Sequence, residues 1–256
     1  MYLLEALALD FPAMISAVGG GGKTRVLYCL ARELRDQGRS VLLTTTTAVF
    51  HPGRSGQLWD NLVIGPLPGG RPPSVGGRGQ LVVGARAHDP GTDKLRGYDP
   101  AYLDGLRAAA RFDAVLVEAD GARGLPVKAP AGHEPVVPSR SDGVIGVIGL
   151  DCLGRPLTPG HVHRAEAFSR VTGLEPGAPI TPEALVRLVQ SPSGLFKGAG
   201  PAARRIVLLN KADSEAAADQ GGQLAGLMLR RAGHLDRILV TSLLGDGAVK
   251  VHLKKG

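Results

Sequence analysis

The first organised pattern in the chain is an apolar run, Ala13-Met14-Ile15-Ser16-Ala17-Val18, that runs into Gly19-Gly20-Gly21-Gly22 and then Lys23-Thr24. An apolar run of this length stopped by glycine predicts a strand buried on both faces. Beyond it Val26, Leu27, Leu30, Ala31 and Leu34 recur at helical spacing, with Arg32, Glu33, Arg35 and Asp36 between them. That spacing predicts a helix, with Gly38 as its stop. Ser40-Val41-Leu42-Leu43-Thr44 then predicts a second buried strand. Strand, helix and strand in this order form a βαβ unit, and hence a parallel sheet.

The same reading continues down the chain. Four apolar residues running into Glu118, Val144 to Leu150, the apolar run that feeds Asn210-Lys211-Ala212-Asp213, and Arg237 to Val240 predict further buried strands. Helices are predicted over about 100–111, from Thr181-Pro182 to Val189, and through Leu224, Leu227, Met228 and Arg231. Thr181 is placed to cap its helix and Pro182 suits the first turn. Residues 65–80 are rich in Gly and Pro and predict a surface loop. The apolar pieces 61–64 and 81–84 on either side predict a hairpin or a subsidiary sheet beside the core. The basic tail, 250–256, predicts frayed chain.

Composition narrows the function. At 256 residues the chain suits a single domain over 1–256, with a Gly/Pro-rich insertion at about 65–80. A formal charge of +7 favours anionic ligands. Aromatic residues make up 4% and no dense basic run interleaves with them, so a nucleic-acid platform is not expected. Cys29 and Cys152 are too few and too far apart for a disulfide framework or a thiolate zinc site. No basic leader opens the chain and no apolar run is long enough to span a membrane, so a cytoplasmic protein is expected.

The chemistry begins at the glycines. Gly-Gly-x-Gly-Lys-Thr between a strand and a helix is the layout of a phosphate-binding loop in its shorter form. Gly19, Gly20, Gly21 and Gly22 would let backbone N–H groups turn around phosphates. The helix N-terminus adds partial positive charge. Lys23 would reach the terminal phosphates, and the Thr24 hydroxyl would bind Mg²⁺. The strand ending Val117-Glu118-Ala119-Asp120-Gly121 delivers carboxylates to the same sheet edge. Glu118 is the favoured acid for Mg²⁺ or the attacking water, and Asp120 the second candidate. Glu118-x-x-Gly121 also fits a switch whose Gly121 N–H bonds the γ-phosphate. These features predict a P-loop NTPase-like α/β fold, a three-layer sandwich with a mainly parallel sheet.

Asn210-Lys211-Ala212-Asp213 at a later strand end fits the guanine-reading motif of GTPases. Asp213 would accept two N–H donors from the guanine edge, Lys211 would pack over the base, and Asn210 would tie this loop to the phosphate loop. Thr241-Ser242-Leu243 is a loose version of the turn that contacts the guanine oxygen, with Ser242 at its centre. GTP is therefore expected, with ATP as the alternative.

Three stretches stay open. Thr44 to Thr47 are either strand filler or hydroxyls near the γ-phosphate. Residues 124–135 hold prolines that exclude regular structure, and Arg123, Lys128, His133 and Glu134 make that segment either substrate-facing or a structural wrap. His161 and His163 share a strand face, which is weak evidence for a metal.

In combination the phosphate loop, the threonine run, Val-Glu-Ala-Asp-Gly-Ala-Arg-Gly-Leu-Pro-Val-Lys-Ala-Pro with His-Glu-Pro, Val-Ile-Gly-Leu-Asp and Asn-Lys-Ala-Asp resemble the YqeC family. The resemblance runs from about Ile15 to Thr241. It implies an accessory protein for selenium-dependent molybdenum hydroxylases, acting in the maturation of their cofactor. Expected partners are the nucleotide and a molybdenum hydroxylase or its cofactor, with no nucleic acid and no membrane; a homodimer is compatible with this class. The short loop and Glu-x-x-Gly are also similar to nickel-delivery GTPases, but the Cys-Pro-Cys or Cys-His motif of a nickel carrier is missing. The leading expectation is a Mg²⁺-dependent GTPase switch. The alternatives are a phosphoryl- or nucleotidyl-transferase acting on a small molecule, a pterin or selenium compound, and a non-hydrolysing nucleotide-gated scaffold.

Overall fold

The structure is a computed structural model that describes residues 2–68, 70, 79–243 and 249–252. In chain order its regular elements are α1 (Leu3–Leu7), β1 (Ala13–Gly19), α2 (Lys23–Asp36), β2 (Val41–Thr45), β3 (Ala48–Phe50), β4 (Asn61–Ile64), β5 (Leu81–Ala85), β6 (Ala87–Asp89) and β7 (Lys94–Arg96). They continue with α3 (Pro100–Ala108), β8 (Ala114–Glu118), β9 (Val127–Lys128), β10 (Gly143–Gly149), β11 (Val162–His163), α4 (Ala165–Thr172) and α5 (Pro182–Gln190). The last are β12 (Arg204–Asn210), α6 (Glu215–Arg231), β13 (Arg237–Thr241) and β14 (Val249–His252).

Nine strands form one sheet in the order β14-β13-β12-β10-β1-β8-β2-β5-β4. Every pairing in it is parallel except β13 with β14. The strands alternate their apolar side chains between two layers of helix. Ile15 and Ala17 face a layer with Val26, Leu27, Leu30 and Leu34 of α2. Met14, Val115 and Val117 face Leu103 and Leu106 of α3. Val144, Ile148, Val207 and Leu209 face α5 and α6. This is the three-layer α/β sandwich with a mainly parallel sheet that the sequence predicts.

The order of filling positions the site. β2, β4, β5 and β8 all lie on one side of β1, and β10, β12 and β13 on the other. The connections therefore part at the C-terminal end of β1, and such a switch point opens a crevice for ligands in parallel sheets.

Three expectations are corrected. The pieces 61–64 and 81–84 are neither a hairpin nor a separate sheet. As β4 and β5 they pair in parallel at the edge of the main sheet, because their apolar residues extend its buried layers. Residues 124–135 are not wholly irregular, since β9 pairs in parallel with β11. The tail is not frayed over 250–252, where β14 closes the other sheet edge. Residues 69 and 71–78 of the Gly/Pro stretch and 253–256 of the tail lie outside the described residues. A small sheet, β3-β7-β6, stands beside the main one as a wing.

Candidate functional site

β1 ends at Gly19, beside Val147 of β10, and the chain turns sharply through the glycines. Gly21 has φ +76°, and a Cβ there would collide with the backbone nitrogen of Gly149, so no other residue fits. Gly22, at φ +110°, begins α2 with no capping side chain. By contrast Asp99, Thr181 and Ser214 cap α3, α5 and α6 through their side chains. Among the described residues the N–H groups of Gly22, Lys23 and Thr24 donate to no protein group. The preceding N–H groups are engaged: Gly19 with Asp120 at 3.1 Å, Gly20 with the Val147 carbonyl at 2.9 Å and Gly21 with the Leu125 carbonyl at 3.0 Å.

Lys23 folds back into this turn. Its ammonium donates to the Gly19 carbonyl at 2.6 Å and lies 3.1 Å from Asp120 and 3.9 Å from Glu118. Parallel pairing of β1 with β8 puts Ala17 level with Glu118, which brings both carboxylates beneath the loop. The Thr24 hydroxyl donates to Glu118 at 2.7 Å. Burial pushes the Glu118 carboxyl above its ordinary range; the Lys23 ammonium and the Thr24 hydroxyl oppose the rise, and the Asp120 carboxylate adds to it. Lys23, Thr24, Glu118 and Asp120, read separately from sequence, form one cluster.

Asp120 begins a longer chain of charges. It is 2% exposed and lies between two ammonium groups, Lys23 and Lys128, the latter 3.2 Å away and 1% exposed. Lys128 also donates to Glu134 at 2.9 Å and to the Gly121 carbonyl at 2.8 Å. Glu134 accepts from Arg164 at 3.0 Å. Burial alone would raise the Glu134 carboxyl, but Arg164 and Lys128 overcome it and hold the group at about 2. Five side chains thus alternate in sign from the glycine loop to the start of α4. Lys128 and Glu134 serve as a structural wrap within 124–135, while Gly124, Leu125, Ala131, Gly132 and Glu134 of the same segment also line the cleft described below. Arg164 is a site residue that sequence reasoning missed, because no local pattern marks it.

On the other side of the loop, Asn210 at the end of β12 donates to the Gly21 carbonyl at 2.8 Å and accepts from the Thr241 hydroxyl at 3.2 Å. Ser242 donates to Asp213 at 2.6 Å. Lys211, at φ +66°, reaches Asp151 at 2.6 Å. Asp151 closes the Val-Ile-Gly-Leu-Asp stretch named from sequence, which assigned it no role.

A cleft of about 1540 Å³ opens between the main sheet and the wing. Lys23, Thr24, Glu118 and Gly121 line one end of it, and Arg123, His163, Arg164 and Arg170 line its far half. Asn210, Lys211, Asp213 and Ser242 are not among its lining residues. The glycine loop therefore stands between two separate features. Of the threonine run, Thr44, Thr45 and Thr46 spend their hydroxyls on the carbonyls of Gly84, Glu118 and Val136. Thr47 shares a hydroxyl contact with Thr45 at 3.2 Å and lines the cleft. Among the described residues no group of three or more His, Cys, Asp or Glu is arranged to hold a metal ion, and His161 lies in the turn before β11, so it does not share a strand face with His163. Nor, among those residues, is any helix long and apolar enough to cross a membrane.

The comparisons with known proteins agree with one another. A family model described as "YqeC protein" matches residues 15–166. That span runs from β1 to the start of α4 and contains the glycine loop, both carboxylates and the whole charge chain. A protein of Escherichia coli (strain K12), named "Uncharacterized protein YqeC", is 38% identical over 216 residues, covering 81% of this chain and 81% of the relative. The chain belongs to the YqeC family.

Proposed function

We propose that this protein binds a guanine nucleotide with Mg²⁺ and hydrolyses it as a switch in the maturation of a molybdenum hydroxylase. The observation that carries the reading is the pair of bonds on the far side of the loop. Asn210 on the Gly21 carbonyl ties the Asn-Lys-x-Asp segment to the phosphate loop, and Ser242 on Asp213 holds the carboxylate in place. A base seated there would offer its N–H donors to Asp213, with Lys211 beside the ring. Adenine lacks those donors and would leave the carboxylate unpaired, at a cost of about 1–3 kcal/mol.

The phosphates would meet Gly19 to Gly22 and Lys23, with the N–H groups of Gly22, Lys23 and Thr24 at the start of α2 as the donors that face no protein group. Thr24 and Glu118 supply two hard oxygen donors 2.7 Å apart, a set that fits Mg²⁺, which combines one or two protein oxygens with phosphate oxygens. Those two residues would hold the ion, and it would neutralise charge on the phosphates. In this reading Asp120 positions Lys23, Glu118 would orient water, and Gly121, which lines the cleft, would offer its N–H to the γ-phosphate. The place in selenium- and molybdenum-containing hydroxylase maturation rests on the family resemblance. The size of the cleft favours a second reading, transfer of the phosphoryl group to a small molecule.

Calorimetric titration with non-hydrolysable GTP and ATP analogues and Mg²⁺, beside an Asp213→Asn variant, tests the first reading. The expected outcome is tighter binding of the GTP analogue and loss of that preference in the variant. Equal or better binding of the ATP analogue would overturn guanine reading.

A further inference from the structure

The cleft raises a question that the nucleotide alone does not answer. If the base sits over Asn210 and Asp213, its triphosphate passes across the loop with the terminal phosphate facing the cleft. None of the base-side residues lines that cleft. Its far half is therefore left for something other than the nucleoside. This inference rests on the guanine-binding reading above.

The chemistry of the far half is cationic beside apolar lining. Arg123, Arg164 and Arg170 line it, and Lys94 of the wing and Arg54, in the turn after β3, line the cleft as well. Glu134 and Glu166 are the acids among its lining residues there. Glu134 is spent on Lys128 and Arg164. Among the described residues Arg123 and Arg170 have no acidic partner, whereas Arg54 reaches Asp93 at 3.9 Å and Lys94 rests on the Phe50 ring. Val162, Ala165 and Ala167, from the same segment as Arg164, supply apolar lining. Arg123 and Arg164 both hold left-handed backbone, at φ +52° and +63°. Such strain in non-glycine residues collects where side chains must be aimed.

We infer that the far half of the cleft is a binding subsite for a second ligand, a small organic molecule carrying a phosphate or carboxylate. Arg123 and Arg170 take its oxyanion, with Arg164 held beside them by Glu134. The charge chain gives the subsite a physical link to the phosphate loop. A nucleotide that draws Lys23 toward its phosphates shifts the balance at Asp120, and through Lys128 and Glu134 the hold on Arg164.

The test uses the full chain saturated with a non-hydrolysable GTP analogue and Mg²⁺, so that the loop is filled. Inorganic phosphate, and acetate in a separate arm, are titrated in and followed by calorimetry. The expected result is one further phosphate or acetate bound per protein, weakened about tenfold or more in Arg123→Ala/Arg170→Ala, the change that loss of charge-assisted hydrogen bonds produces. Analogue affinity should change by less than about threefold, because neither arginine faces the base side. No further anion bound, or binding indifferent to both arginines, overturns the subsite. If no nucleotide loads, the guanine reading fails by itself, and phosphate is then titrated into nucleotide-free protein and Lys23→Ala. Binding that survives Lys23→Ala and is lost with the two arginines still supports the subsite. Binding lost only in Lys23→Ala places the anion on the loop and overturns it.

Discussion

The ammonium of Lys128 lies 3.2 Å from the carboxylate of Asp120, and both side chains are almost wholly buried. A lysine at 1% exposure survives in the core only where its charge is matched, and here Asp120, Glu134 and the Gly121 carbonyl match it. Removing one member of such a buried set costs more than the set itself contributes, because its partners stay charged in a poorly solvating place. Lys128→Met should therefore lower unfolding free energy by about 3 kcal/mol or more. Urea denaturation measures it. Stability equal to the parent protein would show that Asp120 and Glu134 are satisfied without Lys128.

Glu134 sets an acid limit. Its folded-state value of about 2 lies below that of an unfolded glutamate, so the folded state holds its charge more tightly. The stability it contributes is fully present above the unfolded value of about 4.5 and is lost as pH falls through about 2. Denaturation curves taken across that window should show stability falling with acidity. In Glu134→Gln the fall should be shallower, and an identical slope in the variant would remove Glu134 as the cause.

Asn210 joins three parts of the chain: the end of β12, the phosphate loop through Gly21, and β13 through Thr241. Asn210→Ala leaves a buried carbonyl and a buried hydroxyl without this partner, at about 1–3 kcal/mol of stability. Nucleotide binding should weaken with it by about tenfold, since each 1.4 kcal/mol is a factor of ten. A variant that loses stability but keeps full nucleotide affinity would separate the tie from the site.

Chelation should report on Thr24 and Glu118. With EDTA present, GTP affinity is expected to fall by about tenfold or more in the parent protein, as the charge on the phosphates loses its counter-ion. In Thr24→Ala or Glu118→Gln the difference between Mg²⁺ and EDTA should shrink. An EDTA effect of full size in both variants would mean that other groups hold the ion.

Much of this was legible because it is local. Ile15, Leu43, Leu116, Ile145 and Leu208 declare buried strands through apolar runs, and α2 declares itself through its spacing, since burial imposes those periods on any chain that folds this way. The four glycines with Lys23 and Thr24 are legible for a second local reason: a tight turn before a helix needs residues without a Cβ, as Gly21 shows against Gly149. Asn210, Asp213 and Ser242 could be named because they fall at strand ends.

Pairing between distant segments was not legible. Nothing in 61–64 and 81–84 distinguishes a hairpin from two parallel strands, because the choice depends on what the intervening chain does and on the open edge of β2. Lys128 and Glu134 carry no sequence mark of burial either, since lysine and glutamate are usually exposed, and only the arrival of Asp120 from β8 and Arg164 from the start of α4 makes their burial tolerable. The sequence by itself determined the buried strands and main helices of the central sheet's layers, the glycine turn and the residue types gathered at one edge of the sheet, but not α1, α4 or the short strands β3, β6, β7, β9, β11 and β14. The tertiary structure alone decided that Lys23, Asp120, Lys128, Glu134 and Arg164 form one continuous chain of charge, and that a large cleft lies opposite the Asn210 side, because both depend on contacts between residues far apart in sequence.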